Sequence, residues 1–473
     1  RKDWNHVLYE DILPEHYQSS YGDPRYAQQM LGSDYGKELS CLYSQLRGSI
    51  VFAFEDRMWD LTVLCELFLE VYTEFLGEEL PKPENIRNIM YSYIRDYCDD
   101  MMEYRVREMV DPDLDFAASI IMNSDLSDLR YLYEFGEYIT DSQIKTAEFL
   151  NKMSREEIER MAKTYTEGYR IGFENNGIDL SKKKTVNIRY SLGFERIIRA
   201  AILQFEKMGL RPVIYRSATH LINRRQHLRI GYYGAIPNQQ FDYDHRNDAA
   251  VYLTEEMVSR KLRALQNGFE SCKELANTHA GPAVMETFGE TPFVPEAKDC
   301  VFELSKKQQK MLVRLDTESS QITNRYIIGK ERSFTIIAWP VPEIGEHFEE
   351  IFEETIKINT LDYKKYQKIQ QCIIDALDLG QAVHIKGCNG NRTDLTVKLQ
   401  DLEDGKIQTL FENCVADVNI PVGEVFTSPK LTDTNGILHV TRVFLNGLEY
   451  RDLSIHFRDG MIQAYSCQNF QSE

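Results

Sequence analysis

The chain has 473 residues, which exceeds one ordinary hydrophobic core and predicts two or three domains. Apolar residues make up 42% and charged residues 27%, a composition typical of a soluble globular protein. The formal net charge of -19, from 55 basic and 74 acidic residues, argues against a nucleic-acid backbone or an anionic membrane as a partner.

No segment of the sequence has the pattern of a targeting or membrane element. No run of about 18 apolar residues occurs, which argues against a transmembrane helix. The first residues are polar and lack the apolar core of a signal peptide. The nine cysteines are odd in number and widely spaced, so we expect reduced thiols and a cytoplasmic location. The chain does not begin with methionine, which we interpret as a processed or cut chain.

The first part of the chain, residues 1–178, is predicted to be almost wholly helical. Apolar residues continue along one helical face over residues 61–75, until Pro81 and Pro83 break the helix. Ser154 is a candidate N-cap of a further helix. No chemical motif stands out, so we interpret this region as a helical extension of unknown purpose.

A βαβ pattern follows the helical extension. Residues 184–190 predict a strand, residues 194–209 predict a helix closed by Gly209, and residues 211–215 predict the next strand. Because a βαβ unit implies a parallel sheet, we predict an α/β domain over residues 179–380. Further elements predicted in this domain are strands at 301–304 and 332–339 and helices at 346–358 and within 361–379.

Short strands replace the helices in the last part of the chain. They are predicted at 382–386, 393–399, 424–426, 436–444, 448–456 and 460–465. Short strands separated by Gly, Asn and Asp turns are typical of an antiparallel β-rich domain, which we place at residues 381–473. The predicted fold class is therefore α/β, with a helical extension, a parallel-sheet domain of βαβ units and a β-rich domain.

Four features contain residues of the types that bind ligands or metal ions, and each also has a simpler structural interpretation. Residues 387–392 lack the spacings of phosphate-binding loops and precede a strand, which indicates a hairpin turn. Gly193 lies between a strand and a helix, where a nucleotide can sit, but one glycine indicates only a helix start. We interpret the Asp- and His-containing run 242–248 as a solvated loop in preference to a metal site. Asp394 is typical of a turn-closing aspartate bonded to nearby backbone.

Glu424 is the most informative residue in the sequence. It lies in the short apolar segment 419–429, between two prolines. Alternate side chains of an extended segment share a face, so Glu424 is expected on one face with Val422 and Phe426. Burial of an ionised carboxylate there is expensive unless a cation or strong donors compensate. Glu424 is therefore a metal ligand, half of a buried ion pair, for example with Arg442, or a protonated acid.

Three segments carry a resemblance to one known family. Residues 332–340 read RSFTIIAWP and are similar to W-[TV]-I-x-x-x-P, and residues 392–397 read RTDLTV and are similar to G-T-D-L-T-V. Residues 419–429 read NIPVGEVFTSP and are similar to N-[IM]-P-x-G-E-V-F-T-x-P. Over about residues 180–473 the chain thus resembles the M29 metalloaminopeptidases, of the aminopeptidase T or leucyl aminopeptidase type. Arg392 stands where the family has glycine, which suggests an altered turn.

The resemblance implies a site with two divalent metal ions (Zn, Co, Mg or Mn) and the removal of N-terminal residues from peptide substrates. The glutamate of G-E-V-F-T is a metal ligand in this family, and that role falls on Glu424. The other ligands are a second glutamate, two histidines and an aspartate, in motifs that follow the strand read here as residues 458–462. His439 and His456 do not match those motifs. The resemblance also implies a homodimer.

The sequence stops at Glu473, before those motifs. We therefore expect a truncated catalytic domain that lacks its C-terminal part, and a fragment that is inactive, because one carboxylate cannot hold two dications. Two other classes of protein stay open. One is a non-catalytic scaffold and the other is a small-ligand-binding protein, each retaining the aminopeptidase fold.

Overall fold

The computed structural model describes residues 2–217, 221–222, 230–405, 407–415, 419–445 and 447–470. The chain forms two compact units. The first comprises Arg1–Gly289 and Pro295–Glu349, and the second comprises Glu290–Val294 and Glu350–Glu473. No helix within the described ranges combines the length and the apolar composition that a membrane crossing requires.

The N-terminal part of the chain is helical, as predicted. Its helices are α1 (Lys2–Tyr9), α2 (Pro24–Leu31), α3 (Gly36–Leu46), α4 (Ser49–Phe54), α5 (Met58–Glu74), α6 (Pro83–Val110), α7 (Phe116–Asn123), α8 (Asp141–Lys152) and α9 (Arg155–Asn175). Local signals set several helix starts. Pro83 occupies the first turn of α6, where its missing N–H costs nothing. Thr140 and Ser154 close capping boxes at α8 and α9, which confirms the predicted N-cap role of Ser154.

The first unit contains a parallel sheet, as the βαβ pattern predicts. Its strands are β1 (Thr185–Ser191), β2 (Arg211–Val213), β3 (Tyr232–Tyr233), β4 (His279–Phe288) and β5 (Thr335–Pro340). The order β2-β1-β4-β5 is parallel throughout, and β3 pairs with the end of β1. The helices of this part are α10 (Glu195–Lys207), α11 (Gln239–Asp244), α12 (Glu255–Ser271), α13 (Lys273–Asn277) and α14 (Lys306–Tyr326).

Strand β4 is not predicted from the sequence, because Gly281 and Pro282 lie inside it. Its pairing with β1 shows how the strand accepts them. Thr185 pairs with His279 whereas Asn187 pairs with Pro282, so β4 carries one extra residue at this point. Gly281 has φ +104°, a backbone conformation that glycine adopts without steric cost. The Gly-Pro pair therefore forms a bulge within a strand.

We expect Gly281→Ala to lower the free energy of unfolding by at least about 2 kcal/mol. A Cβ atom at this position would lie 2.1 Å from the backbone oxygen of Ser333, in addition to the unfavourable φ. Gly209→Ala is the matched control, because Gly209 has φ +83° and nothing within 4 Å of the added Cβ. Urea titrations of both variants measure the difference, and equal losses would contradict the steric argument.

The predicted strand at residues 301–304 is wrong. This segment contains no strand, and its neighbour α14 begins only at Lys306. Phe302 and Leu304 are half-buried and pack against the large apolar cluster that the surrounding helices share. The alternation of apolar and polar residues at 301–304 therefore reflects the packing of these side chains on helices. The backbone of this segment is not paired with a strand.

The N-terminal helices share a core with helices of the sheet region. Leu64 of α5 and Ile94 of α6 lie in one buried cluster with Leu262 of α12 and Leu315 of α14. The two compact units divide the chain near residues 290 and 350. These divisions differ from the predicted domain boundaries after residues 178 and 380. The division into three domains at residues 1–178, 179–380 and 381–473 stays a prediction.

The second unit is rich in antiparallel strands, as predicted. The helices of this part of the chain are α15 (Phe348–Asn359) and α16 (Tyr363–Leu377). The strands are β6 (Ala382–Lys386), β7 (Asp394–Lys398), β8 (Glu412–Cys414), β9 (Asn419–Ile420), β10 (Glu424–Phe426), β11 (Lys430–Leu445), β12 (Leu448–Arg458) and β13 (Met461–Ser466). An antiparallel sheet has the order β13-β12-β11-β7-β6, and β8 forms a separate antiparallel pair with β10. Ile374 of α16 packs with Leu399 and Phe411 in a small core.

Candidate functional site

Glu424 is the first residue of β10, and its side chain is exposed to solvent. The interpretation that Glu424 shares a buried apolar face with Val422 and Phe426 is therefore wrong. Val422 is buried, whereas Phe426 is 50% exposed. Gly423 has φ +139°, which interrupts the extended backbone between Val422 and Glu424. Because alternation of faces holds only along a continuous strand, it does not carry across this glycine.

Hydrogen bonds from two directions fix the backbone of Glu424. In the antiparallel pair of β10 and β8, Glu424 lies opposite Cys414. The buried Gln370 of α16 donates its side-chain Nε2 to the backbone oxygen of Glu424 at 2.6 Å and to that of Cys414 at 2.7 Å. A single amide group thus holds both strands against the helix. Nothing in the sequence marks Gln370, because its role depends on two strands that come from later in the chain.

The two oxygens of the Glu424 carboxylate differ in their surroundings. Asn419 donates its side-chain Nδ2 to Oε2 of Glu424 at 2.8 Å. Within the described residues, Oε1 has no hydrogen-bond partner. The proposed ion pair with Arg442 is not formed, because Arg442 pairs with the buried Glu449. The carboxylate therefore has one oxygen oriented by the chain and one that is open to a ligand.

The structure tests whether the residues around Glu424 are sufficient for a metal site. Across the parts of the chain that the structure describes, no three His, Cys, Asp or Glu side chains come together in a way that could hold a metal ion. Glu424 fits as one ligand, since an exposed carboxylate suits several divalent cations. It does not form a metal site by itself.

Asp394 differs from its predicted role. Among the described residues its side chain has no bond to nearby backbone, and it lies 2.7 Å from Nε2 of His384 across the β6–β7 pair. This contact holds the pKa of Asp394 below its usual range. Both side chains are more than half exposed. They form a surface hydrogen bond, which at such exposure contributes little to stability.

The turn between β6 and β7 is a hairpin, as predicted for residues 387–392. His439 of β11 is buried and accepts the backbone N–H of Arg392 on its Nδ1 at 3.1 Å. Its Nε2 lies 3.2 Å from the carboxylate of Asp452. His439 therefore positions the turn, and both of its ring nitrogens are occupied by the protein.

The Asp- and His-containing run at residues 242–248 is not a solvated loop, so that interpretation is wrong. Asp244 ends α11 and is buried. It accepts a hydrogen bond from the hydroxyl of Tyr17 at 2.7 Å and pairs with the buried Lys298 at 2.8 Å. Lys298 also pairs with the buried Asp23 at 2.8 Å. A buried ammonium between two carboxylates satisfies these charges without a metal ion.

A buried carboxylate occupies the junction of β1 and α10, where Gly193 raises the question of a nucleotide. Glu195 is fully buried and accepts the backbone N–H of Gly193 at 2.9 Å. It also accepts the hydroxyl of Tyr131 at 2.6 Å. The N–H of Gly193 before the helix therefore already faces a carboxyl group from the protein itself, where a phosphate would otherwise bind. This residue was not singled out from the sequence, because a glutamate in the first helical turn is common.

Comparison with known proteins adds to this geometry. An exposed carboxylate such as that of Glu424 is compatible with metal-dependent peptidases, which are hydrolases. Residues 301–471 match the family model of the thermophilic metalloproteases, M29. The match covers all three segments of the resemblance but begins at residue 301, whereas the resemblance was expected from about residue 180. No curated protein matches the chain.

Proposed function

We propose that this chain supplies part of a metal-dependent aminopeptidase, which releases N-terminal residues from peptides. The observation that carries this proposal is the Glu424 carboxylate, which is exposed, oriented by Asn419 on one oxygen and open on the other. Its backbone is fixed by Gln370 and by β8. The M29 match over residues 301–471 supports a metallopeptidase. The specificity for the peptide N-terminus rests on the resemblance of residues 419–429.

We assign Glu424 as one ligand of a site with two divalent cations. Such ions, when bound, polarise the scissile carbonyl and lower the pKa of a bound water. The contribution of this chain is positional. A ligand on a rigid strand keeps its direction, because the hydrogen bond from Asn419 restricts rotation of the carboxylate and the clamp by Gln370 restricts the main chain. A site for two cations requires further ligands besides Glu424, because one carboxylate cannot hold two dications.

Glu424→Gln is expected to remove bound metal and to lower aminopeptidase activity by at least about 100-fold, since even partners outside the first ligand shell contribute about 10–100-fold. The amide keeps the size of the side chain and its acceptor for Asn419 but loses the negative charge. Metal content by mass spectrometry and hydrolysis of leucyl-p-nitroanilide with added Co²⁺ or Zn²⁺ measure the effect, in the longest form of the chain that its gene encodes.

Glu412→Gln is the matched control, because Glu412 is an exposed glutamate on the neighbouring strand β8. It removes the same charge close by and is expected to leave metal content and activity unchanged. Unchanged metal content and activity in Glu424→Gln would show that the ligand assignment is wrong.

A non-catalytic scaffold or small-ligand-binding protein is the second candidate. The observation that favours it is that, among the described residues, no group of three potential ligands is formed. Calorimetric titration of the longest encoded chain with Zn²⁺ and Co²⁺ separates the two candidates. Tight binding of about two ions supports the peptidase, and no binding supports the scaffold. The cytoplasmic location and the homodimer stay predictions, which cell fractionation and light scattering test.

A further inference from the structure

Helix α5 carries large apolar side chains on the face that points to solvent. Met58, Leu69, Tyr72 and Leu76 are between 51% and 67% exposed, and Cys65 between them is exposed as well. Leu76 lies in the turn that follows the helix. We refer to these five residues as the α5 stripe. Several large apolar side chains exposed along one face of a helix indicate an interaction site, whereas single exposed apolar residues do not.

The opposite face of α5 is already buried. Val63, Leu64, Leu67 and Val71 are all less than 5% exposed and belong to the main core of the first unit. The helix is therefore apolar on both faces. Exposed apolar surface costs free energy in proportion to its area, so burial of the second face by a partner is expected to be favourable. The part of the chain that the structure describes covers only one of the two faces.

The spacing of the α5 stripe indicates that its partner is a helix. The intervals from Met58 to Cys65, Leu69, Tyr72 and Leu76 are seven, four, three and four residues. This is the alternation of a and d positions in a heptad repeat, with Thr62 at the a position between the first two. Side chains at this spacing insert between those of a second helix that packs at a shallow angle.

The charges beside the stripe determine the kind of helix. Glu66 occupies the e position beside it, where it also accepts a hydrogen bond from Tyr97, and Glu78 and Glu79 follow the helix end. A partner helix therefore gains from lysine or arginine beside its apolar positions. A second copy of this chain would place these glutamates against their counterparts, in molecules that each carry a net charge of -19. An anionic membrane surface is disfavoured by the same charges.

We propose that the α5 stripe binds an amphipathic helix of another protein, with apolar residues at heptad spacing flanked by lysine or arginine. The site is independent of Glu424 and of the proposed peptidase activity. It also gives the helical N-terminal part of the chain a role, as the element that presents this surface.

Three synthetic helical peptides of about 21 residues, or three heptads, test the proposal by fluorescence anisotropy. The first has leucine at the a and d positions and lysine at e and g. The second keeps the lysines and has serine at a and d, and the third keeps the leucines and has glutamate at e and g. We expect the first peptide to bind at least about tenfold more tightly than either of the others.

The matched variants locate the binding. The double variant Leu69→Gln with Leu76→Gln replaces two apolar side chains of the stripe. It is expected to lower the affinity for the leucine–lysine peptide by at least about tenfold. Ile369→Gln with Ile373→Gln on α16 is the control, because both isoleucines are 46% exposed on another helix. It is expected to leave the affinity unchanged. All four positions are exposed, so thermal unfolding of each variant should match that of the parent chain.

Several results would overturn the proposal. Equal binding of the serine–lysine peptide would show that charge alone acts, and equal weakening by the α16 control would place the contact elsewhere. A dimer in light scattering that Leu69→Gln with Leu76→Gln converts to a monomer would identify a second copy as the occupant. Sedimentation with phosphatidylcholine–phosphatidylserine vesicles that the same variant abolishes would identify a membrane surface.

Discussion

Replacement of Arg216 with methionine is expected to lower the free energy of unfolding by about 3–5 kcal/mol. The Arg216 side chain is 4% exposed, and its Nε lies 2.7 Å from the carboxylate of Glu55. One further nitrogen pairs with Glu137 and another donates to the backbone oxygen of Phe135. The guanidinium also lies over the ring of Tyr232, 5.0 Å from its centre. Methionine keeps much of the packing but leaves two partly buried carboxylates without this cation.

Arg155→Met is the control for that measurement. Arg155 pairs with Glu159 at 2.7 Å but is 82% exposed, so its loss is expected to cost less than about 1 kcal/mol. Urea titrations followed by circular dichroism give both values. Addition of Glu55→Gln and Glu137→Gln to Arg216→Met should restore part of the stability, because the uncompensated charges are then absent. A loss for Arg216→Met no larger than the control would contradict the role of the ion pairs.

Glu195 is expected to make the stability of the chain depend on pH. Burial raises the pKa of Glu195 to about 7, although hydrogen bonds from Tyr131 and Gly193 oppose this effect. Between pH 4.5 and 7 the folded chain therefore holds a proton that the unfolded chain has released. The stabilisation is fully present below about pH 4.5 and is lost as the pH rises through about 7. It amounts to roughly 3 kcal/mol, since a difference of one in pKa corresponds to about 1.4 kcal/mol.

Glu195→Gln isolates this contribution, because glutamine keeps the shape of the side chain and does not titrate. We expect the free energy of unfolding of the parent chain, relative to that of the variant, to fall by roughly 3 kcal/mol between about pH 4.5 and 8. Glu206→Gln is the control, an exposed position on the same helix that leaves the buried contacts intact. If the difference in free energy of unfolding between the parent chain and Glu195→Gln stays constant over this range, Glu195 does not hold the extra proton in the folded chain.

Local patterns in the sequence predicted those elements whose side chains alternate or repeat regularly. The sequence predicts the strand–helix–strand unit β1–α10–β2 and the hairpin of β6 and β7. It also predicts the capped helix that begins after Ser154. The bulged β4 was not predicted, because Gly281 and Pro282 argue against a strand until the extra residue in its pairing with β1 is known. The apolar residues at 301–304 were assigned to a strand because the helical core on which they pack was unknown.

For the candidate site, the sequence by itself determined the identity of Glu424 and the motif around it, because a short segment between two prolines can be compared without its fold. Only the tertiary structure decided the environment of that carboxylate. The left-handed backbone at Gly423 turns Glu424 away from the face of Val422, and Gln370 fixes its main chain from a helix more than 50 residues earlier. In the same way, the sequence of residues 242–248 predicts a solvated loop, whereas in the structure Asp244 of this run is buried against Lys298 and Tyr17. Burial and ion pairing depend on contacts between residues far apart in the chain, and a local pattern does not contain them.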